Sequence, residues 1–256
     1  MNDAKIVLLA GEGISTNILY HALKDDFVIH SIILEEPVGK KTLLKNRIKK
    51  LGLWKVTGQI FFQLIIARFL RLVSSKRKNE ILEAYSLDVG PLPAEKVTRV
   101  PSVNDDQCFQ LLQNTAPQLV IVNGTRIISK RILDGVGATF INMHAGITPK
   151  YRGVHGAYWA LVNNDKQNCG VTVHLVDPGI DTGEVIFQAT IIPADSDNFV
   201  TYPLLQLAAG IPGMKKAIVD ILAGHLVKTA AVGESRLWSH PGFGQYIFYW
   251  LARGKK

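Results

Sequence analysis

The chain has 256 residues, of which 47% are hydrophobic and 20% are charged, so it is long and apolar enough to bury a sizeable core. This composition excludes a disordered chain and a disulfide-stapled miniprotein. Two cysteines, Cys108 and Cys169, are too few for a disulfide framework, and no secretory leader opens the sequence; together these features predict a reducing, cytoplasmic location.

The first elements follow a strand, helix, strand pattern. Residues 5–10 are a short apolar run that ends in a glycine turn at 11–13, residues 15–23 have helical spacing, and residues 27–34 are a second run typical of a strand. The sequence therefore predicts a βαβ unit at the start of the chain.

A basic segment follows at 40–80. It holds twelve lysines and arginines and one acidic residue, so the net charge of +8 is concentrated here and the rest of the chain is slightly acidic. Its central part, 54–73, is rich in large apolar residues and lacks proline, which predicts one or two helices. Because Arg68 and Arg71 interrupt this run, its uncharged part is shorter than the ~20 residues of a bilayer crossing, and no transmembrane span is predicted.

Three roles remain open for this basic helical insertion. It can cover the core with its lysines solvated, lie on an anionic membrane as a peripheral contact, or mediate self-association as a homodimer. A helix with large apolar residues beside clusters of Lys and Arg is typical of membrane-surface binding, at ~1 kcal/mol per basic residue near the surface.

The rest of the chain continues the alternation of strands and helices. Predicted helices lie at 105–114, 129–133 and 204–226, and predicted strands at 118–123, 139–144, 170–176 and 183–189. Gly210 and Pro212 should kink or divide the last helix. This alternation predicts an α/β fold with an open, mainly parallel, Rossmann-like sheet and flanking helices, whose ligands bind at the carboxyl ends of the strands.

Two parts are expected in the domain organisation. Residues 1–195 form the catalytic domain, with the basic helical insertion at 40–80, and residues 196–256 form a short helical and aromatic C-terminal extension. The tail at 234–256 is too aromatic for a solvated linker, so the extension should pack on the core.

Three polar side chains are expected to meet at one end of the sheet. Asn142 and His144 are two residues apart at the carboxyl end of a strand, so the pleat points both to the same face. Asp181 lies in a turn between Gly179 and Gly183, which lets the backbone fold tightly and the carboxylate reach the same crevice. No nucleophilic Ser or Cys accompanies His144, so the three residues suit a transfer in which the substrate's own amine attacks.

The three side chains have different expected roles. The carboxamide of Asn142 and a protonated His144 can donate hydrogen bonds to the oxygen of a tetrahedral intermediate, and one such donor can contribute ~10²-fold or more in rate. Asp181 can hold the imidazole or relay the amine proton through water. A zinc site built from His144, His155 and His174 lacks a closely spaced ligand pair, so no metal is predicted.

Four motifs occur together: Asn-x-His at 142–144, Pro-Lys-Tyr-Arg-Gly at 149–153, Gly-Val-Thr-Val-His at 170–174, and Asp-x-Gly-x-Asp-Thr-Gly at 177–183. In combination they resemble the folate-dependent formyltransferases, over about residues 118–190. The resemblance implies 10-formyltetrahydrofolate as cosubstrate, a primary amine as acceptor, and the Asn, His and Asp named above as the catalytic residues.

The same resemblance implies binding residues. The folate pocket is expected to use Thr125, Arg126, Ile127, Ile128, Val176, Asp177 and Gly179, mainly through backbone groups. The glycine turn lacks the third glycine of a dinucleotide motif and is either a plain tight turn or an acceptor contact. Candidate acceptor-binding residues are Gly13, Ser15, Asn17, Arg152 and His155. His155 either binds a phosphate of the acceptor or caps a helix. His174 either has a structural role or contacts the site.

Where the chain departs from the family pattern, it limits the candidate classes of acceptor. Methionyl-tRNA formyltransferases carry a C-terminal β-barrel for tRNA, which 196–256 does not resemble, so no nucleic-acid partner is expected. Glycinamide ribonucleotide enzymes lack the basic insertion, and formyltetrahydrofolate hydrolases usually carry a regulatory domain ahead of the catalytic one. The pattern is most similar to enzymes that N-formylate nucleotide-linked amino sugars for surface polysaccharides.

Four alternatives stay open. A formyltetrahydrofolate hydrolase would use water in place of the amine, and another small amine, such as an amino acid or a hydroxylamine, could be the acceptor. A nucleotide-binding module without catalysis would retain the fold alone. A nucleic-acid binder is indicated only by the positive charge.

Overall fold

The computed structural model describes residues 4–254. Its strands, in chain order, are β1 (Ile6–Gly11), β2 (Ile29–Glu35), β3 (Val97–Val100), β4 (Leu119–Asn123), β5 (Thr139–His144), β6 (Arg152–Gly153), β7 (Gly170–Leu175), β8 (Val185–Thr190) and β9 (Leu237–Trp238). Seven of them form one sheet in the order β3-β2-β1-β4-β5-β7-β8. Strands β1 to β5 pair in parallel, whereas β7 and β8 run antiparallel at one edge.

This sheet is an open, mainly parallel α/β sheet of Rossmann-like type, as predicted. The chain reverses its direction of winding between β1 and β4, which are neighbours in the sheet but far apart in sequence. Ligands of open α/β sheets bind outside the carboxyl ends of the strands at such a point. The topology alone therefore places the site at the ends of β1, β4 and β5.

The core has two layers because alternate side chains of each strand point to opposite faces. On β1, Val7 and Leu9 belong to one buried cluster, whereas Ile6, Leu8 and Ala10 belong to the other. Apolar side chains on both faces explain why the parallel strands are continuous hydrophobic runs and not alternating ones.

Ten α-helices lie within the described residues: α1 (Ile14–Leu23), α2 (Lys40–Leu51), α3 (Leu53–Phe61), α4 (Ala67–Val73), α5 (Ser75–Ala84), α6 (Asp106–Thr115), α7 (Lys130–Gly135), α8 (Gly156–Val162), α9 (Tyr202–Leu222) and α10 (Phe243–Arg253). Several elements, among them β3 and α8, are not predicted from the sequence. The four residues of β3 lie in a stretch with prolines on both sides, and every residue of α8 is buried, so neither element carries a clear periodic pattern.

Helix α9 is continuous from Tyr202 to Leu222, so Gly210 and Pro212 do not divide it, whereas a kink stays a prediction. Two of its glycines let the helix lie close to the sheet. A Cβ at Gly210 would approach the sulfur of Met143 to 2.2 Å, and a Cβ at Gly213 would approach the ring of Phe187 to 2.0 Å. Packing of this face on β7 and β8 outweighs the loss of one backbone hydrogen bond at Pro212.

The basic insertion forms helices α2 to α5. Between α3 and α4 lies one π-helical turn, Phe62–Ile66, so Leu53–Val73 is a continuous helical segment of 21 residues. By length and composition alone this segment could cross a membrane, in contrast to the expectation from the sequence. Its inner side packs on the body of the protein, where Val56, Gln59 and Phe62 are buried.

The C-terminal extension contacts the core in three places. Strand β9 pairs with β6, α9 packs on the sheet, and α10 packs on α3. On α10 the ring of Tyr246 is 2% exposed and contacts Phe62, Tyr158 and Phe199. A domain boundary at residue 195 stays a prediction, since α9 shares the core cluster of the sheet.

Replacement of Tyr246 tests whether the extension stabilises the whole fold. Tyr246→Ala removes a buried ring from an aromatic cluster and is expected to lower the free energy of unfolding by about 3–5 kcal/mol. Phe248→Ala on the same helix is the matched control, because that ring is 61% exposed and its loss should cost less than about 0.5 kcal/mol. Urea unfolding measures both; equal effects of the two substitutions would contradict the packing described.

Candidate active site

A cavity of about 990 Å³ opens at the carboxyl ends of the central strands. Asn123 at the end of β4 and Asn142 and His144 at the end of β5 lie in its wall. This is the place that the reversal of winding between β1 and β4 indicates. A volume of this size accommodates a drug-sized ligand together with part of a second one.

The structure brings Asn142, His144 and Asp181 together in this cavity, as the sequence predicts. The Nδ1 atom of His144 lies 3.3 Å from Oδ2 of Asp181, and both side chains are nearly buried. Asn142 is on the same face of β5 and also lines the cavity. Two stretches of chain almost forty residues apart therefore supply one amide, one imidazole and one carboxylate.

Asp181 is held by its backbone and by its neighbours. Its φ of 51° lies in the left-handed region, and Gly153 donates a backbone hydrogen bond of 2.9 Å to Oδ2. Arg152 donates to the carbonyl of Ile180, one residue before the carboxylate. Asp and Asn are the non-glycine residues that best tolerate a positive φ, so the turn suits the residue that it carries.

His174, whose role the sequence leaves open, lies against Asn142. Register pairs the two residues directly across β5 and β7. The Nδ1 atom of His174 lies 2.7 Å from the carbonyl oxygen of Leu175, and Nε2 lies 3.2 Å from the amide nitrogen of Asn142 and 3.7 Å from Oδ1 of Asp181. This contact orients the carboxamide and leaves its second N–H available for a ligand in the cavity.

Burial and the carboxylate of Asp181 act in opposite directions on the protonation of His144. Burial lowers the pKa of its imidazole below the usual 6.5, and the carboxylate of Asp181 offsets this only in part. The Nε2 atom donates to the carbonyl of Tyr151 at 2.7 Å, and Nδ1 faces the carboxylate of Asp181, so each ring nitrogen lies next to a hydrogen-bond acceptor. A proton on Nδ1 is therefore stabilised by Asp181, and the role of the imidazole as a donor stays a prediction.

Asp181 remains ionised beside it. Burial acts to raise the pKa of this carboxyl, but the neighbouring rings of His174 and His144 and the backbone N–H of Gly153 hold it below its usual value. A proton that reaches the space between Nδ1 and Oδ2 is bound from both sides. The pair is thus a ready proton acceptor at the end of β5.

Gly146 is required for the position of His144. A Cβ at this residue would lie 2.2 Å from the carbonyl oxygen of Tyr151 and 2.7 Å from Nε2 of His144. Any larger side chain would therefore displace the imidazole or the carbonyl to which it donates.

All seven residues proposed for the folate pocket line the cavity. The loop that carries four of them is fixed by Glu35, a buried carboxylate at the end of β2. Glu35 accepts from the backbone N–H of Arg126 and from its guanidinium, both at 2.8 Å, and from the backbone N–H of Val103. The guanidinium of Arg126 therefore binds groups of the protein itself. The side chain of Ile127 is 52% exposed and can contact a ligand.

The acceptor candidates separate into two groups. Ser15 and His155 line the cavity, whereas Gly13, Asn17 and Arg152 do not. Asn17 donates to the carbonyl of Val89, and Arg152 supports the turn of Asp181 as described above. Sequence spacing predicts that these residues lie near the site but cannot give the direction of each side chain.

His155 occupies the N-terminal cap position of α8, but its side chain forms no hydrogen bond to the helix. Burial, with a smaller contribution from His240, lowers the pKa of its ring to about 3. Its Nε2 lies 3.0 Å from Nδ1 of His240. A contact with an acceptor phosphate stays a prediction.

Two further walls of the cavity are not predicted from the sequence. The insertion contributes Gln63, Arg71 and Lys78, and α9 contributes Leu204 and Leu207. The sequence leaves open that the insertion covers the core. Its position within the catalytic domain is the one sequence feature that could have indicated a contribution to the cavity. Two of its basic side chains give one side of the cavity a positive charge.

The protein thus has a seven-stranded α/β sheet with an amide, an imidazole and a carboxylate at the carboxyl ends of its strands. This arrangement is typical of an enzyme that transfers a group between two bound substrates without forming a covalent intermediate. The chain belongs to the formyl transferase family, whose sequence model matches residues 67–204. All four motifs quoted above, with the candidate catalytic residues, lie inside that match.

The relatives in sequence are methionyl-tRNA formyltransferases. The chain is 42% identical over 86 residues to the protein of Finegoldia magna, which is 33% of this chain and 27% of the relative. It is 29% identical over 156 residues to the protein of Kosmotoga olearia, 57% of this chain and 47% of the relative. The chain thus spans between about a quarter and a half of the curated relatives that it matches.

The solved structures with this fold include other formyltransferases. A sugar N-formyltransferase from a Shewanella species has a TM-score of 0.58 and 12% identity, over 91% of this chain and 76% of that one. Glycinamide ribonucleotide transformylase 1 from Symbiobacterium toebii has a TM-score of 0.58 and 17% identity, over 91% and 96%. At these identities the likeness establishes the fold.

The protonation state of His144 can be tested directly. Because burial lowers its pKa, nitrogen-detected NMR should show the imidazole titrating below pH 6.5. Asp181→Asn removes a negative charge that stabilises the imidazolium, so the midpoint should move further down. A midpoint at or above 6.5, or a rise in the Asp181→Asn variant, would contradict the arrangement.

Proposed function

We propose that this protein transfers a formyl group from 10-formyltetrahydrofolate to the primary amine of a nucleotide-linked amino sugar. The observation that carries the proposal is the meeting of Asn142, His144 and Asp181 in one cavity. Membership of the formyl transferase family supports the reaction class, and a related solved sugar 3N-formyl transferase was crystallised with dTDP and 5-N-formyl-THF.

The residues at the site have separate tasks in this reaction. The free N–H of the Asn142 carboxamide donates to the formyl oxygen as negative charge develops there. The pair of His144 and Asp181 takes the proton from the attacking amine and returns it to the folate nitrogen from which the formyl group departs. One carbon–nitrogen bond forms, one breaks, and one proton moves between the two nitrogens, so no net proton is released.

The folate pocket is proposed on the lining side chains and the loop that Glu35 fixes. Ile127 and Ile128 offer apolar contact, and the backbone of 124–128 and of 176–180 offers polar groups beside them. A flat, partly polar ring system fits a pocket of mixed apolar and backbone character.

Charge at the opposite wall supports an anionic acceptor. Arg71 and Lys78 face the cavity from the insertion, and the structure gives neither of them an acidic partner among the described residues. Phosphate groups of a nucleotide are natural ligands of such side chains. Cys108 and Cys169 are both buried as thiols, which agrees with a reducing, cytoplasmic location for the enzyme.

Methionyl-tRNA is the second candidate acceptor. The observation in its favour is the name shared by the sequence relatives, which match this chain over the region of the catalytic residues. Against it, 196–256 supplies α9 and α10 to the catalytic body and forms no β-barrel among its described residues.

An acceptor panel decides between these proposals. The full-length protein is incubated with 10-formyltetrahydrofolate and, separately, nucleotide-linked amino sugars, methionyl-tRNA, amino acids and hydroxylamines, and mass spectrometry follows the gain of one formyl group. Formylation of an amino-sugar nucleotide is the expected result. Formylation of methionyl-tRNA alone would overturn the acceptor proposal, and release of formate without any acceptor would indicate a hydrolase.

Two substitutions test the assigned roles. Asn142→Ala removes the donor to the formyl oxygen, and Asp181→Asn removes the charge that holds the transferred proton, so each should lower turnover by ~10²-fold or more. Thermal unfolding should be little changed, because Asn also tolerates the positive φ at 181.

Asp195→Asn is the control for the loss of a carboxylate, since Asp195 is exposed and lies outside the cavity lining. Its turnover should equal that of the wild type. Near-normal turnover of Asn142→Ala or Asp181→Asn would contradict the roles assigned to these two side chains.

A further inference from the structure

The continuous helix from Leu53 to Val73 exposes large apolar side chains on its outer side. Trp54 is 87% exposed, Leu64 is 64% exposed and Leu72 is 70% exposed, and Phe61 and Ile65 are each at least half exposed. Exposed apolar patches of this kind mark sites of association with proteins or membranes. The face is unpartnered in the described part of the chain.

The inner side of the same helix is firmly attached to the protein. Val56 and Phe62 are buried, and the fully buried Gln59 donates to the carbonyl of His240 at 2.7 Å and accepts from Arg47 at 2.7 Å. A helix fixed along one side by packing and buried polar contacts is not free to cross a bilayer on its own. It can lie flat on a surface with its other side.

Positive charge surrounds the apolar face. On α2, which packs against α3, Lys41, Lys45, Lys49 and Lys50 are exposed. Among the described residues, Arg77 is the one basic residue of 40–80 that forms an ion pair with an acidic side chain. The exposed lysines of α2 named above are therefore available to an anionic partner.

These charges decide what the face binds. In a dimer built on this face, two strongly positive insertions would be brought together, and like charges in contact disfavour association. Anionic lipid headgroups neutralise the lysines while the acyl region accepts the apolar side chains. We propose that the insertion docks the protein on an anionic lipid surface, with the outer side of Leu53–Val73 lying in the headgroup layer.

This surface is next to the cavity. Gln63, Ala67 and Arg71, on the same helix, line the cavity wall. Docking therefore brings one wall of the cavity within a helix diameter of the lipid headgroups. The inference concerns binding and does not depend on the identity of the acceptor.

Vesicle co-sedimentation of the full-length protein tests the proposal. The protein should bind vesicles of phosphatidylcholine with phosphatidylglycerol at low salt, bind pure phosphatidylcholine much more weakly, and be released as salt is raised. Protein that stays soluble with the anionic vesicles at low salt overturns the proposal, as does equal binding to both kinds of vesicle.

Two sets of substitutions separate the apolar and charged contributions. Trp54→Ser, Leu64→Ser and Leu72→Ser together should weaken binding at least about tenfold through loss of inserted apolar area. Lys41→Gln, Lys45→Gln and Lys49→Gln together should weaken it by about 100-fold, at about fivefold for each basic residue near the surface.

The matched control is Ile192→Ser, Val227→Ser and Val232→Ser, which removes three apolar side chains of similar or greater exposure away from the insertion. It should bind vesicles as the wild type does, and equal loss in this control overturns the assigned face. Thermal unfolding of each variant verifies the fold.

Sedimentation velocity distinguishes a second copy of the chain as occupant. A dimer that the Trp54, Leu64 and Leu72 substitutions dissociate, without any vesicle binding by the wild type, would overturn the lipid proposal in favour of self-association.

Discussion

The contact between Asp181 and His144 is the constraint on which the site depends. The carboxylate comes from a tight turn after β7 and the imidazole from the end of β5, so the contact exists only if the antiparallel edge of the sheet is in register. Burial of a carboxylate without such partners would lower the stability of the fold, and the backbone N–H of Gly153 and the two histidine rings stabilise its charge. The charge at the centre of the cavity is therefore inseparable from the fold that surrounds it.

A second buried carboxylate organises the other side of the cavity in the same manner. Glu35 ends β2 and binds both the backbone and the guanidinium of Arg126, which fixes the loop after β4. Glu35 is the last residue of β2 and Asp181 lies in the turn between β7 and β8, and of the two carboxylates Asp181 faces the cavity whereas Glu35 faces a loop. The two carboxylates differ in their hydrogen-bond donors. Glu35 accepts from backbone and side-chain groups of the protein, whereas Asp181 faces Nδ1 of His144, and a proton can lie between the two groups.

The sequence predicted the central strands and the common face of Asn142 and His144 because both follow from simple periodicities. The runs that become β4 and β5 are apolar without interruption, and the two-residue spacing of Asn142 and His144 fixes a common face. It could not predict that His174 lies opposite Asn142, because cross-strand register depends on the turn and the packing between the strands. For a related reason the sequence could not predict that Arg152 contacts the turn of Asp181 and lies outside the cavity lining, since the direction of a loop side chain is set by tertiary contacts.

The insertion shows how one helix can serve two surfaces. Phe62 and Ala67 are five residues apart and would point in different directions in a regular α-helix, but the π-helical turn between them brings both to the buried side. Gln63 and Arg71 line the cavity, whereas Leu64 and Leu72, next to them in sequence, are more than 60% exposed. The cavity wall and the exposed apolar face are therefore carried by one helix, so both depend on the buried contacts that attach this helix to the body of the protein.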